Sequence, residues 1–97
     1  NIDILKHVSN HNSLRPKLVI GFSAESENVE QNSQKKLQEK NCDWIIANDI
    51  SNPSIGFDSD FNEVDIFYNN EKKEKIRKLE KQVLADKIVD KIVSKLN

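Results

Sequence analysis

Lys17-Leu18-Val19-Ile20-Gly21-Phe22 is a short apolar run in which Leu18, Val19 and Ile20 follow one another with no polar residue between them. A strand covered on one face alternates, whereas one covered on both faces reads as a continuous apolar run, as in a parallel sheet. The pattern predicts such a strand over 18–22, with Gly21 allowing close backbone approach at its end. Asp43-Trp44-Ile45-Ile46-Ala47 is a second run of the same kind. Between the two lies helix chemistry running to about Lys40. Ser23 or Ser26 is the cap, and Glu25, Glu27 and Glu30 stand where the helix dipole favours negative charge. The helix has a thin apolar stripe of Val29, Ser33 and Leu37, with Ala24 before it. Strand–helix–strand in about thirty residues is a βαβ unit with parallel strands and a right-handed crossover.

Outward from this unit the signals are simpler. Ile4, Leu5 and Val8 recur at helical spacing behind Asp3, a first-turn acid, and Asn10 to Ser13 and Pro16 punctuate the chain. Residues 48–62 read as a long loop rich in turn residues, and loops of that length are often functional. Glu63 to Tyr68 alternates, with Val64, Ile66 and Tyr68 on one face and Phe67 on the other. Asn69-Asn70 marks a turn, and Lys72 to Leu79 is a weak returning strand. Glu80 to Leu96 is the clearest helix, with Leu84, Ile88, Ile92 and Leu96 repeating every four residues beside Ala85, Val89 and Val93. The expected fold class is α/β: a three-layer fragment with a parallel βαβ core, a small antiparallel addition and a C-terminal helix packed on the sheet.

Composition bounds the function. Leu, Ile, Val and Phe supply 29 of 97 residues, above the roughly 20% below which a chain stays disordered. No apolar run approaches the ~20 residues of a membrane span, and the N-terminus lacks a signal-peptide pattern. A single cysteine excludes an internal disulfide framework and a cysteine-based zinc site. The expectation is a soluble cytoplasmic domain with no membrane partner. Opening on Asn1 with only two glycines suggests a piece of something longer. The net charge of −1 divides unevenly: residues 1–70 carry 6 positive and 11 negative groups, residues 71–97 carry 9 and 5. The basic end is interleaved with Glu71, Glu74, Glu80, Asp86 and Asp90. That is the pattern of a solvated helix face rather than a nucleic-acid arm, so no nucleic-acid partner is expected.

Ligands of open parallel sheets sit outside the carboxyl ends of the strands. There Phe22, Asn48 and Asp49 are expected to face one region, Phe22 either stacking on a ring or packing in the core. On the intervening helix Asn28, Asn32, Lys36 and Lys40 follow at four-residue spacing and share one face. Two lysines so placed repel by roughly 0.2–0.5 kcal/mol. Either a polyanion such as a triphosphate reverses that cost, or the stripe faces solvent and is relieved by Glu39 and Gln31. Gly21 and Gly56 form neither a GxGxxG motif nor a P-loop. His7 and His11 lack a glutamate between them for a zincin motif, and Asp58, Asp60 and Glu63 lack calcium-loop spacing. No metal ligand and no catalytic residue is assigned, and Cys42 reads as inert.

Arg15-Pro-Lys-Leu-Val-Ile-Gly-Phe-Ser-Ala-Glu-Ser-Glu-Asn28, then Lys36-Leu37 and Lys40, Asp43-Trp-Ile-Ile-Ala-Asn-Asp-Ile-Ser51, Gly56-Phe-Asp-Ser-Asp60 and Asn62-Glu-Val64 stand in an order and spacing that resembles the phosphopantothenate–cysteine ligase family. That family is the phosphopantothenoylcysteine synthetase half of the bifunctional bacterial coenzyme A biosynthesis flavoprotein, and the resemblance spans residues 1–97 as its C-terminal part. It implies a Rossmann-like fold and a homodimeric parent enzyme. It further implies that CTP activates 4′-phosphopantothenate as an acyl cytidylate, which cysteine then attacks. Magnesium accompanies the triphosphate, and FMN belongs to the decarboxylase half, absent from these residues. By the same resemblance Ile2, Asp3, Ile4 and Leu5 match a segment that touches the nucleotide through its backbone, although Ile2 stands where the family has proline. Phe22 matches the phenylalanine beside the cytosine, and Lys36 and Lys40 match two nucleotide-contacting lysines. Asn48 and Asp49 match an Asn-Asp pair and are additional site candidates. The family's Gly-rich loop, its asparagine for the acyl intermediate and its Lys-x-Lys-Lys segment are not among these residues, so the fragment alone is expected to be inactive. The competing expectation is a non-catalytic nucleotide- or partner-binding α/β module.

Overall fold

A computed structural model describes residues 3–55 and 58–97. Ile2, Gly56 and Phe57 therefore lie outside the described residues. Among those described, three helices flank one four-stranded mixed sheet in the order β1-β2-β3-β4. The elements run α1 (Ile4–Ser9), β1 (Ile20–Glu25), α2 (Val29–Glu39), β2 (Trp44–Asp49), β3 (Phe61–Tyr68), β4 (Lys73–Glu80) and α3 (Lys81–Leu96). β1 and β2 are parallel, from Ile20 opposite Trp44 to Glu25 opposite Asp49, while β3 and β4 each join antiparallel. The βαβ unit, the antiparallel addition and the final helix are all present.

β2 reads as a continuous apolar run because both of its faces are covered. Ile45 and Ala47 join Val19, Leu37, Cys42 and Phe67 on the face that also packs Leu5 of α1 and Val29 of α2. Trp44 and Ile46 join Val64, Ile66, Ile76 and Leu84 on the opposite face, against Ile88 and Ile92 of α3. The α3 stripe therefore packs at Leu84, Ile88 and Ile92 but not at Leu96, which is 53% exposed. Gly21 admits α1: a Cβ there would lie 2.8 Å from Ile45 Cδ1 and 2.9 Å from Leu5 Cδ2.

Several boundaries differ from expectation. β1 runs three residues beyond Phe22, and α2 begins only at Val29 behind Asn28, which adopts the left-handed conformation and makes no side-chain cap. Ser23, Ser26, Glu25 and Glu27 are thus neither cap nor first turn. Asp3 is the N-cap of α1 rather than a first-turn acid, its Oδ1 accepting from the Lys6 amide at 3.0 Å. The expected loop over 48–62 is shorter at both ends, because Asn48 and Asp49 close β2 and Phe61 and Asn62 open β3. β4 reads weakly because its register slips: Asn62 opposes Leu79 and Val64 opposes Ile76. Three steps on β4 match two on β3, so a bulge turns both Ile76 and Leu79 toward α3 and breaks the period of two.

Candidate functional site

Alternation along β1 sorts its side chains between the two faces. Gly21, Ser23 and Glu25 are buried toward α2, whereas Phe22 and Ala24 are exposed. Phe22 is 74% exposed, so the core-packing reading of this ring fails. Its register partner Ile46 belongs to the α3-side core, while Ala47, opposite Ser23, belongs to the α2 side. Asn48 and Asp49 point to opposite faces, so of the three residues expected to face one region Phe22 and Asn48 share a face and Asp49 lies on the other. Asp49 is committed locally: its Oδ1 accepts from the amide and hydroxyl of Ser51, which holds its carboxyl below the usual range.

Lys36 and Lys40 share a face of α2, half-buried rather than turned to open solvent. Their charges are not relieved by Glu39, which lies 3.8 Å from the exposed Lys35 instead. Lys36 Nζ is 2.6 Å from Glu25 Oε2 and donates to Ser23 Oγ at 3.0 Å, and the Ser23 hydroxyl donates in turn to Glu25. Glu25 is only 7% exposed. A buried carboxylate is costly unless it is paired and hydrogen-bonded. Lys36 first, then Ser23, hold its carboxyl below the ordinary 4.5. Lys40 pairs with Asp3, lowering the Asp3 carboxyl and raising the Lys40 ammonium from their ordinary values. That pair ties the end of α2 to the start of α1, and Ser9 Oγ reinforces it by donating to the Lys40 carbonyl.

The structure therefore brings Asp3, Lys40, Lys36, Glu25 and Ser23 into one polar strip on the α2 side of β1. Leu5 is packed beneath it, and Ile4 is 74% exposed. Phe22 lies on the other face of the same strand. β1 is a sheet edge among the described residues, pairing only with β2, so a ligand meeting both Phe22 and the lysines would wrap around that open edge. Glu25 and Ser23 escaped the sequence reading because they were assigned to the helix start. The available signal was the period-two placement of Gly21, Ser23 and Glu25 beyond the apolar run.

The other candidates resolve plainly. His11 Nδ1 accepts from the Leu14 amide at 2.9 Å and stands edge-on to His7, 6.3 Å between centroids. Cys42 is buried, and burial pushes its thiol up, which makes it a poor nucleophile. Glu63 is 3.3 Å from Lys75. Among the described residues no group of three or more His, Cys, Asp or Glu forms a metal site, and no helix is long and apolar enough to cross a membrane.

Fold and strip together define an α/β domain carrying an ionic lysine face beside an open parallel strand. The chain belongs to the family described as DNA/pantothenate metabolism flavoprotein C-terminal domain, which matches residues 1–96. It is 40% identical over 96 residues to the coenzyme A biosynthesis bifunctional protein CoaBC of Escherichia coli (strain K12), covering 98% of this chain and 23% of that protein. The CoaBC of Bacillus subtilis (strain 168) is 32% identical over 93 residues, covering 96% of this chain and 22% of that protein. The crystal structure of the C-terminal domain of a CoaBC superposes with a TM-score of 0.77 at 32% identity, covering 99% of this chain and 42% of that one. The chain thus spans about a quarter of the length of the bifunctional proteins it matches.

Proposed function

We propose that this chain is the C-terminal part of a phosphopantothenate–cysteine ligase and supplies one wall of its CTP site. One observation carries the reading: two half-buried ammonium groups, Lys36 and Lys40, share a face of α2 beside α1 and the end of β1. The relatives' part in coenzyme A biosynthesis supports it. In the proposed reaction the phosphopantothenate carboxylate attacks the α-phosphorus of CTP. The α–β phosphoanhydride bond breaks, releasing pyrophosphate and leaving an acyl cytidylate. The amine of cysteine then attacks the acyl carbon, loses a proton and expels CMP.

Within that scheme Lys36 and Lys40 hold ammonium charges near nucleotide oxygens, each a compact point charge with three donors. Phe22 offers an exposed ring to the cytosine, and residues 2–5 contact the nucleotide through their backbone. Asn48, on the Phe22 face of β2, is available to the same ligand, and Asp49, opposite Glu25 with Oδ1 accepting from Ser51, is an additional candidate on the strip side. The two carboxylates of the strip are already engaged by lysines. Magnesium is therefore assigned no protein ligand here and enters as the counter-ion of the triphosphate, neutralising its charge. The parent enzyme is proposed to be a cytoplasmic homodimer, with FMN confined to its decarboxylase half.

A pyrophosphate-release assay on the full-length parent tests this. Release is expected to require both CTP and phosphopantothenate, and product formation to require cysteine as well. Absence of CTP-dependent release, or equal release from ATP, would overturn the assignment.

A further inference from the structure

We propose that Glu25, assisted by Ser23, is a positioning residue that holds the Lys36 ammonium at the end of β1, in the place where a nucleotide phosphate meets it. The inference rests on reading the Lys36/Lys40 face as the nucleotide wall. A lysine on a four-carbon stem does not fix its own head group. Lys35, its neighbour on α2, shows the unconstrained case, 71% exposed and only loosely paired with Glu39. Lys36 is held from two sides instead, by Ser23 Oγ at 3.0 Å and Glu25 Oε2 at 2.6 Å. Two of its three donors are spent inward, which leaves one for a ligand.

The placement of Glu25 is costly on packing grounds. Its side chain is 8% exposed, against 40% for Lys36, and it faces the layer where Val29 and Leu37 pack. Across the register it stands opposite Asp49, a like charge. An apolar residue at this position would fill the same space without a buried ion pair, and such replacements are often neutral or stabilising. What the carboxylate does here is hold the Lys36 ammonium, directly and together with Ser23. The Lys40–Asp3 pair differs, because both partners are substantially exposed, 31% and 39%. Lys40 is free to exchange Asp3 for a phosphate, whereas Lys36 keeps Glu25 while its remaining donor engages the ligand.

The test is calorimetric titration of the full-length parent with CTP and magnesium, on wild type, Lys36→Ala, Glu25→Gln and the double variant. Glu25→Gln is expected to weaken CTP binding roughly three- to tenfold, with the KM for phosphopantothenate unchanged. The double variant is expected to bind no more weakly than Lys36→Ala, since Glu25 acts through Lys36. Should Glu25→Gln not fold, Glu25→Asp keeps the charge but draws it back by one methylene, and is expected to lose affinity too. If Lys36→Ala binds CTP like wild type, the nucleotide-wall reading itself falls. If Lys36→Ala is weakened while Glu25→Gln matches wild type, or while the two losses add, the positioning role alone is overturned.

Discussion

Phe22 and Glu25 stand three residues apart on one strand and illustrate opposite uses of a side chain. Phe22 is apolar and 74% exposed, so its removal forfeits little folding energy. Phe22→Ala is expected to shift stability by no more than about 0.5 kcal/mol. It should nevertheless weaken CTP binding by roughly 1 kcal/mol or more through lost base stacking. Thermal melting and calorimetry on the same variant separate the two effects. Glu25 is charged and buried, and its effect is on acid stability. Its folded carboxyl is held below 4.5 by Lys36 and Ser23, so the folded state binds its proton less readily than the unfolded chain. The stabilisation is then fully present above the ordinary value and is lost as pH falls through the folded one. Asp3, Asp49 and Glu74 shift in the same direction. Melting temperature should therefore drop between about pH 6 and about pH 3, and Glu25→Gln should drop less than wild type across that interval. At this scale the shared face of Lys36 and Lys40 was legible from their four-residue spacing; the nucleotide contacts proposed for them and for Phe22 come from the family resemblance. The Lys36–Glu25 contact was not, because it joins residues 11 apart whose burial depends on where a strand ends and a helix begins.

The strands β1 and β2 could be read from sequence because burial on both faces leaves an unbroken apolar run, and α3 because Leu84, Ile88 and Ile92 keep a four-residue repeat. β4 was weak for a physical reason: the bulge spaces Ile76 and Leu79 by three, and no period-two search follows that. The end of β1 was misplaced because Ser, Glu and Asn serve equally as helix starters and as polar strand ends. The packing of α1 depends on one glycine. Gly21→Ala would push a methyl against the terminal methyls of Ile45 and Leu5, so crowding should cost about 1 kcal/mol or somewhat more. Ala24→Ser, on the exposed face of the same strand, should cost almost nothing. Denaturant midpoints for both variants of this chain check the difference. Equal midpoints would mean that α1 yields without loss.

Across the whole molecule, the polar strip and the exposed ring lie on the two faces of β1, the strand at one open edge of the sheet among the described residues. Activation requires triphosphate and carboxylate to be held together in near-attack geometry, and the chain covers 23% of its Escherichia coli relative. Residues 1–97 alone are accordingly expected to release no pyrophosphate from CTP and phosphopantothenate, a result that a coupled phosphate assay would register. In the full-length parent, each of Lys36→Ala and Lys40→Ala should remove a charge-assisted contact to the nucleotide, weakened by solvent screening at a half-open face. His7, exposed on α1 with its ring against His11, meets the strip only through its backbone amide, which donates to the Asp3 carbonyl at 2.9 Å and survives truncation to alanine, so its side chain serves as the control. CTP affinity by calorimetry at fixed salt and magnesium decides the matter. Lys36→Ala and Lys40→Ala should each bind about ten times more weakly than wild type, with His7→Ala unchanged. Lysine variants that bind like wild type while His7→Ala does not would contradict the assignment of this face of α2 to the nucleotide.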